Sequence, residues 1–440
     1  MGRVFRERRE VRRPNGTYVN HCDGRVFVMN GGNHKSRITI GWATSEDYFH
    51  PNDKFKILFP NEWEEAFAEY DDPRMYELHA GMYGLCLGAG YKSGLYPCLI
   101  KAYDGLHAGN IMDYAMYSIL QRSDVSQLFS ERMREEVLFS EEVWSSAYWS
   151  RLFKDGLKCW QHDKFKDLWL KNCIARGMKR TWICIDGSNN DCQMQESTYA
   201  EYGENKSHSS KPVVGFIYAI DAETGEPITY FVNPGSIVDS QAFQNIIHFL
   251  VGYNLDVEGV ILDRGFCTYE VLMTLRKLEI KYMIMVPAGV RGYKDILKEC
   301  GMEIFWKSKH LVNTKGVFGI SKEEVIWAAY PEVKGILNLY FGAVRGCFEG
   351  VELLEDVLNA KEKAEKKCAS GEIPKIEKKY RDILHVRETE DGLSVECDYN
   401  AWDVSLRQTG YFTILSSDDF GPETVYNTYQ LRMVQKLSIA

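Results

Sequence analysis

Two short apolar runs, each followed directly by an aspartate, constrain the fold of this 440-residue chain more than any other feature. The runs before Asp186 and Asp263 have the length and composition of buried β-strands. Helices fit residues 240–253 and 268–279, where apolar side chains recur at helical spacing. Further strands are predicted at 213–220, 228–232 and 282–286. This alternation predicts an α/β fold, with a mixed sheet and helices packed against it.

The remaining segments differ in periodicity and composition, which predicts five parts along the chain. These are a small β-rich segment at 1–61, a helical domain at 62–178, the first part of the α/β core at 179–290, a β-rich insertion with a charged helix at 291–405, and a return to the core at 406–440. The first segment includes the hairpin signal Asn30-Gly31-Gly32-Asn33. We expect the strands of the insertion to lie outside the core sheet, in a subdomain that projects from it.

The overall charge of the chain gives little sign of a nucleic-acid partner, because the formal net charge is −9. Contact with DNA depends on local patches, however, rather than on the average charge. A run of arginines near the N-terminus is either a solvated end or an arm that touches DNA. Its members are Arg3, Arg6, Arg8, Arg9, Arg12 and Arg13.

The twelve cysteines are scattered and form no Cys-x-x-Cys pair. This usage predicts reduced thiols rather than a disulfide framework or a zinc site. The N-terminus is charged and lacks the apolar core of a signal peptide. No apolar run reaches the roughly 18 residues that a membrane span needs. These features predict a cytoplasmic protein with no membrane partner.

Asp186 and Asp263 stand out chemically because a carboxylate at the end of a buried strand is costly to desolvate. Either aspartate alone could be a helix N-cap or a turn former. Two carboxylates on neighbouring strands would repel each other, and a bound Mg²⁺ relieves that repulsion while accepting hard oxygen ligands. The pattern alone leaves both interpretations open, a structural role and a metal site.

Several motifs, in this order along the chain, resemble the central region of bacterial insertion-sequence transposases of the Asp-Asp-Glu class. They are Ile185-Asp186-Gly187, the segment from Asp221 to Ile228, the segment from Gly235 to Asp239, and the segment from Ile261 to Phe266. The resemblance implies a ribonuclease-H-like core in which Asp186 and Asp263 are the first two catalytic acids. It also implies that the segment from Asp221 to Ile228 is a hairpin between core strands.

The last segment resembles the end of the same family pattern. Tyr429-Gln430-Leu431-Arg432 is similar to the start of a Tyr-x-x-Arg-x-x-x-Glu signature on the final core helix. The position of the glutamate falls on Lys436, four residues before the end of the sequence. We therefore expect a chain that is truncated relative to the family, by a frameshift or a premature stop near Met433, and assign no third catalytic acid.

The resemblance implies phosphoryl transfer at the ends of an insertion sequence, with two Mg²⁺ ions that Mn²⁺ can replace. Asp186 would bridge both ions, Asp263 would hold one, and Tyr429 and Arg432 would contact DNA next to them. The implied partners are the terminal inverted repeats of the element and the target DNA. A homodimer on DNA in the nucleoid is also implied, with cleavage impaired because the third acid is missing.

Three alternatives from other functional classes stay open. The chain could be a DNA-binding or regulatory protein without catalysis, which the absent glutamate favours. It could be a metal-dependent nuclease or phosphatase unrelated to transposition that uses the same two aspartates. A carboxylate-pair hydrolase such as a glycosidase would need two acids across a sugar cleft and no metal.

Overall fold

The chain divides into two compact units, Met1–Cys159 and Trp160–Ala440. None of the described helices combines the length and the apolar character that a membrane-spanning segment requires. The computed structural model describes residues 11–12, 18–22, 25–29, 37–43, 49–61, 78–178, 181–192, 197–203, 211–389 and 392–439.

The first unit begins with an antiparallel sheet and continues with helices. Its described strands pair in the order β1-β2-β3-β4-β5, where the sequence is β-rich. The hairpin signal at 30–33 lies outside the described residues, as do most of the N-terminal arginines. The strands are β1 (Val11–Arg12), β2 (Tyr18–Cys22), β3 (Arg25–Met29), β4 (Arg37–Ala43) and β5 (Phe49–Pro51).

Several helices of the first unit pack around a cluster of aromatic side chains. Trp149 and Phe129 are fully buried there, and their ring centroids are 4.6 Å apart. The fully buried Asp113 accepts hydrogen bonds from the backbone N–H groups of Phe139 and Ser140, which fixes the chain between the last two helices of this unit. The helices are α1 (Asp53–Leu58), α2 (Gly81–Ser93), α3 (Leu95–Tyr103), α4 (Gly105–Gln121), α5 (Phe129–Arg132) and α6 (Ser146–Arg151).

The second unit contains the predicted alternation of strands and helices. After α7 (Cys159–Ala175), its first elements are β6 (Thr181–Asp191), β7 (Val213–Asp221), β8 (Pro227–Pro234), α8 (Asp239–Gly252), β9 (Val257–Leu262), α9 (Tyr269–Lys277) and β10 (Lys281–Val286). These strands lie side by side in the order β8-β7-β6-β9-β10. The three central strands β6, β9 and β10 are parallel, whereas β7 and β8 are antiparallel additions at one side. The mixed α/β core predicted from the sequence is confirmed, and its order fits a ribonuclease-H-like arrangement.

The core forms because β6, β9 and α8 each bury an apolar face. Ile183 and Ile185 on β6 and Val260 and Leu262 on β9 are fully buried in one cluster. Full burial of each such side chain stabilises the fold by about 1.5–3 kcal/mol. Helix α8 covers this face with residues at helical spacing, namely Ala242, Phe243, Ile246, Ile247 and Leu250.

The expectation that the strands of residues 291–405 lie outside the core sheet is wrong for the first three of the described strands. The segment begins with a helix, and its first strands extend the core sheet instead, giving the nine-stranded order β11-β12-β13-β16-β10-β9-β6-β7-β8 in the described part of the chain. Strand β16 pairs antiparallel with both β10 and β13, so it joins the two halves of the sheet. The added elements are α10 (Arg291–Ile304), β11 (Leu311–Asn313), β12 (Val317–Trp327), β13 (Tyr330–Gly342), β16 (Tyr411–Ser416) and α13 (Pro422–Ile439).

A smaller insertion, residues 343–409, does leave the sheet between β13 and β16. It has a core of its own, in which Val357, Leu384 and Trp402 are buried together. Its described elements are α11 (Ala343–Ala369), β14 (Leu384–Thr389), β15 (Gly392–Cys397) and α12 (Tyr399–Arg407). The charged helix predicted within this insertion is thus the second half of α11, which ends at Ala369, two residues before Gly371 with its φ of +79°.

Candidate active site

The register of the parallel strands brings Asp186 next to Asp263. Ile185 on β6 pairs with Leu262 on β9, and each aspartate is the next residue along its chain. Strand β6 does not end at Asp186 as the sequence suggested, because it pairs with β7 as far as Asp191. Strand β9 ends at Leu262, so only Asp263 lies at a strand end. The two carboxylates therefore come from the middle of one strand and the end of its neighbour.

Arg432, on α13, joins the two carboxylates. Its Nη2 atom lies 3.2 Å from Oδ1 of Asp186 and 2.8 Å from Oδ2 of Asp263. These two oxygens are therefore at most about 6 Å apart, the sum of the two distances. The predicted closeness of Asp186 and Asp263 is confirmed, whereas their catalytic role stays a prediction.

Each carboxylate is also held by donors of its own or the adjoining strand or turn. Oδ1 of Asp186 accepts a hydrogen bond from the Gly187 backbone N–H at 3.0 Å, and the Tyr218 hydroxyl donates to Oδ2 at 3.5 Å. Oδ1 of Asp263 accepts from the Arg264 backbone N–H at 2.8 Å, at the start of a short 3₁₀ turn. These bonds keep the two carboxylates oriented at the sheet edge.

Tyr218 was not a candidate from the sequence, because a tyrosine within a strand is typical of ordinary sheet packing. Tyr218 is on β7, and the pairing of β7 with β6 places it opposite Asp186. Burial, and then the negative charge of Asp186, raise the pKa of Tyr218 to about 12. The hydroxyl therefore keeps its proton at neutral pH and remains a donor to the carboxylate.

Tyr429 and Arg432, the two candidates on the final helix, are both buried against the aspartates. The Tyr429 hydroxyl donates to the carbonyl of Leu262 at 3.3 Å, and burial raises the pKa of this tyrosine. Burial acts to lower the pKa of Arg432, but Tyr429 and the two aspartates outweigh it and raise that pKa. Arg432 is therefore a permanent cation whose contacts join α13 to the edge of the sheet. Contact of these two residues with DNA stays a prediction.

A further carboxylate, that of Asp239, approaches the same edge from the first turn of α8. A Cβ atom added to Gly187 would lie 2.3 Å from its Oδ1, and one added to Gly265 would lie 3.6 Å from its Oδ2. Asp239 thus lies between the residue after Asp186 and the turn after Asp263. The sequence offered a signal for it, since Asp239 closes one of the family-like motifs, but gave it no role.

Asp221 has a structural role in the hairpin between β7 and β8. Its buried Oδ1 accepts hydrogen bonds from the backbone N–H groups of Glu223 and Thr224 and from the Thr224 hydroxyl, at 2.7–3.0 Å. Gly225 follows with a φ of +72°, a conformation that favours glycine. The hairpin implied for this motif is confirmed, and the Asp-x-x-Thr-Gly pattern is explained by turn geometry.

The carboxylate oxygens of this site are suitable ligands for a hard divalent cation, but two side chains are fewer than such an ion needs. Asp186 and Asp263 supply carboxylate oxygens at one edge, which is the chemistry that Mg²⁺ and Mn²⁺ prefer. Among the residues that the structure describes, no group of three or more His, Cys, Asp or Glu side chains surrounds a possible metal position. Lys436 belongs to α13, but its side chain lies outside the described part of the chain.

A cavity of about 680 Å³ opens beside Arg432 and Tyr429. Two further cations, Lys315 and Arg345, line it, and the Arg345 guanidinium lies 4.8 Å from the ring centre of Phe412. Cations and aromatic faces at one place are suited to phosphates and bases of a nucleic-acid strand. This local patch differs from the acidic average of the chain.

Comparison with known proteins assigns the family. The family model described as "Transposase DDE domain" matches residues 178–434. No curated protein sequence matches the chain significantly. Among solved structures, the chain is similar to piggyBac transposase in a synaptic complex with hairpin DNA, at 12% identity over 74% of this chain and 58% of that chain, with a TM-score of 0.33. It is also similar to Mos1 transposase in a paired-end complex with the left transposon end, at 14% identity over 40% of this chain and 59% of that chain, with a TM-score of 0.16.

The chain thus covers about three fifths of the length of these solved chains. The residues that the family model matches make up more than half of the 440 residues, and they include both aspartates, Tyr429 and Arg432. The chain therefore belongs to the family of proteins with a transposase DDE domain.

Proposed function

We propose that the chain is an insertion-sequence transposase that cuts DNA at the ends of the element and joins them to a target. The observation that carries the proposal is the pairing of Asp186 and Asp263 at one sheet edge, both within 3.2 Å of Arg432. Mg²⁺, or Mn²⁺ in its place, would be held by these two carboxylates. When bound, the metal would activate the attacking hydroxyl and neutralise charge on the phosphate.

The chain's own residues have separable tasks in this proposal. Asp186 and Asp263 hold the cofactor, and the backbone N–H groups of Gly187 and Arg264 keep the two carboxylates oriented. Tyr429 ties α13 to β9 through the Leu262 carbonyl. This anchoring keeps the guanidinium of Arg432 at the edge where the scissile phosphate would lie.

The cavity beside Arg432 supports DNA as the partner. Lys315 and Arg345 would contact the backbone of a strand that runs along it, because phosphate contacts supply most sequence-independent affinity for DNA. The bound DNA would be the terminal inverted repeats of the element and then the target. We further propose that the chain acts as a homodimer on DNA, in the nucleoid of the cytoplasm.

A second candidate function is DNA binding without efficient cleavage. The observation that favours it is Lys436, which stands where the Tyr-x-x-Arg-x-x-x-Glu signature has its acid. A cation at that position would repel a divalent metal ion rather than bind it. The chain would then act as a regulator by occupying the element ends or by assembling with an active copy.

The test is binding and cleavage of the DNA that flanks the coding sequence, with Mg²⁺ or Mn²⁺. In the transposase proposal, Asp186→Ala and Asp263→Ala each reduce cleavage by more than about 100-fold, beyond the usual loss for residues that only support a metal ligand. Asp295→Ala, at an exposed aspartate on α10, is the matched control and leaves cleavage unchanged.

The outcomes separate the candidate functions. Specific binding of the terminal repeats with cleavage supports a transposase, whereas specific binding without cleavage supports the second candidate. Cleavage of any duplex without preference for the repeats supports a general nuclease instead. A chain that binds no DNA contradicts both proposals.

A further inference from the structure

The guanidinium of Arg432 lies between the two carboxylates that a divalent cation would share. We propose that Arg432 is an exchangeable counter-cation, which neutralises Asp186 and Asp263 in the free protein and must move to a DNA phosphate before a divalent metal binds tightly. The inference rests on the proposed function, which makes DNA the source of that phosphate. It adds an order of binding, in which DNA prepares the site for its metal.

The competition follows from the contacts. One nitrogen, Nη2, contacts an oxygen of each aspartate, and the Arg432 side chain is only 7% exposed. A divalent ion on the same two oxygens would lie close to this fixed positive charge. Like charges a few ångströms apart, shielded from water, repel strongly. The guanidinium and the metal therefore compete for the same pair of carboxylates.

The carboxylates can keep their orientation when Arg432 leaves. Asp186 still accepts from the Gly187 N–H and the Tyr218 hydroxyl, and Asp263 still accepts from the Arg264 N–H. These donors belong to the strands and turns that carry or adjoin the aspartates. Departure of the guanidinium thus opens the oxygens to another cation without dismantling the site.

Arg432 also has a physical reason to exchange partners. Its Nε atom is buried and has no hydrogen-bond partner among the residues that the structure describes. An unsatisfied buried donor is costly, and a phosphate can accept from Nε and an Nη together in the fork geometry that suits arginine. The aspartates satisfy only part of the guanidinium, whereas a phosphate offers it a more complete set of acceptors.

The cavity provides the place for that exchange. Arg432 lines it together with Lys315, Arg345 and Gln430. A DNA strand attracted by the two neighbouring cations would bring a phosphate within reach of the guanidinium. Because coupling between two sites is reciprocal, DNA should strengthen metal binding and metal should strengthen DNA binding by the same factor.

The experiment measures the Kd of Mn²⁺ for the full chain, with and without a short duplex DNA, from the signal of unbound Mn²⁺ in electron paramagnetic resonance. The Asp186→Asn/Asp263→Asn double variant, measured in parallel, gives the Mn²⁺ held by DNA or by other sites. We expect DNA to tighten Mn²⁺ binding to the wild type by about 5- to 150-fold, the usual range for coupled sites.

The decisive variant is Arg432→Gln, which removes the cation but keeps a polar side chain. Without DNA, this variant should bind Mn²⁺ about tenfold more tightly than the wild type, a factor within the usual coupling range. Addition of DNA should tighten its Mn²⁺ binding little further. Arg432→Lys keeps the charge and should retain weak binding in the absence of DNA. Arg387→Gln, at an exposed ion pair on β14, is the control and should match the wild type.

Circular dichroism and thermal melts establish that each variant is folded. If Arg432→Gln unfolds, Arg432→Lys still decides, because a single ammonium group bridges the aspartates less well and should reduce the coupling. An equal Mn²⁺ Kd for the wild type and folded Arg432→Gln without DNA overturns the proposal, and so does a coupling factor that is the same in the wild type and in every folded Arg432 variant. Failure to bind DNA contradicts the proposed function alone, since the DNA-free comparison still tests the competition.

Discussion

Gly187 and Asp239 approach each other so closely that a Cβ atom on residue 187 would have to displace the Asp239 carboxylate. An added Cβ would lie 2.3 Å from Oδ1 of Asp239 and 2.7 Å from its Cγ. Real Cβ atoms do not make contacts this short, so glycine lets the first turn of α8 reach the strand that carries Asp186. The approach brings a third carboxylate to the edge where Asp186 and Asp263 meet.

Gly187→Ala should therefore disturb the site by pushing the Asp239 carboxylate out of its position beside β6. We expect a loss of about 1–3 kcal/mol in the free energy of unfolding, the usual cost of overpacking, measured by urea denaturation. Gly215→Ala on β7, where the nearest atom is 3.5 Å away, is the matched control. In an Asp239→Ala background the cost of Gly187→Ala should shrink, and an undiminished cost would show that the clash lies elsewhere.

Asp221→Ala should destabilise the hairpin between β7 and β8. It removes the acceptor of the Glu223 and Thr224 N–H groups, and bonds to a charged group are worth about 1.5–3 kcal/mol. Asp221→Asn keeps one acceptor oxygen and should recover part of this loss in urea denaturation. Glu223→Ala, at the exposed neighbour, serves as the control. If Asp221→Ala is as stable as the wild type, the hydrogen bonds do not hold the turn.

The chain should lose stability as the pH rises from about 10 to 12. Burial raises the pKa of Tyr293 to about 12 from 10.0, and its hydroxyl donates to the Tyr411 carbonyl at 3.1 Å. Above pH 10 the unfolded chain loses this proton while the folded chain retains it, so the contribution is complete below pH 10 and lost as the pH approaches 12.

Tyr293→Phe isolates that contribution. At pH 8 it should cost about 1 kcal/mol for the lost hydrogen bond, and the further loss between pH 8 and pH 11 should be smaller than in the wild type. Urea unfolding at the two pH values measures both quantities. The exposed Tyr399→Phe should leave the pH dependence unchanged, and an identical pH dependence in Tyr293→Phe would exclude the buried hydroxyl as its source.

Lys436→Glu tests whether the chemistry of position 436 limits cleavage. On α13 this position is one helical turn after Arg432, and residues four apart lie on the same helix face. We expect tighter Mn²⁺ binding and faster cleavage of element ends than in the wild type. Lys436→Gln removes the cation without adding a ligand, so a gain shared by both variants would mean that only the repulsion mattered. No change in either variant would contradict the proposed importance of this position.

The core could be predicted from the sequence because its elements have clear periodicity. Apolar residues of α8 recur at helical spacing, and the apolar runs before Asp186 and Asp263 are typical of buried strands. The extension of the sheet could not be predicted, because β13 pairs with β16 across the whole insertion. Such long-range pairing leaves no local pattern. Helix α10 was missed although Tyr293, Ile296 and Ile304 form its buried face.

The site was predictable only in part, for a related reason. Asp186 and Asp263 could be recognised from their position after apolar strands and from their motifs. The contact between Arg432 and Asp263 spans 169 positions in sequence, and no local pattern links them. Tyr218 and Asp239 reach the site through strand pairing and helix packing respectively. Tyrosine is common on strands and aspartate is common at helix starts, so only the tertiary structure identifies these two residues as part of the site.

The insertion between β13 and β16 begins and ends at one point. The Gly342 N–H donates to the Gly410 carbonyl at 2.9 Å, so the last residue before the insertion is hydrogen-bonded to the first residue after it. A segment whose two ends already touch adds only a slowly growing loop-closure entropy as it lengthens. Because Arg345 lines the cavity and Glu349 accepts a hydrogen bond from the Gly410 N–H, the first turns of α11 belong with the sheet and its site. Beyond these turns, a module of a different size can replace the insertion while the register of β13 on β16 is unchanged.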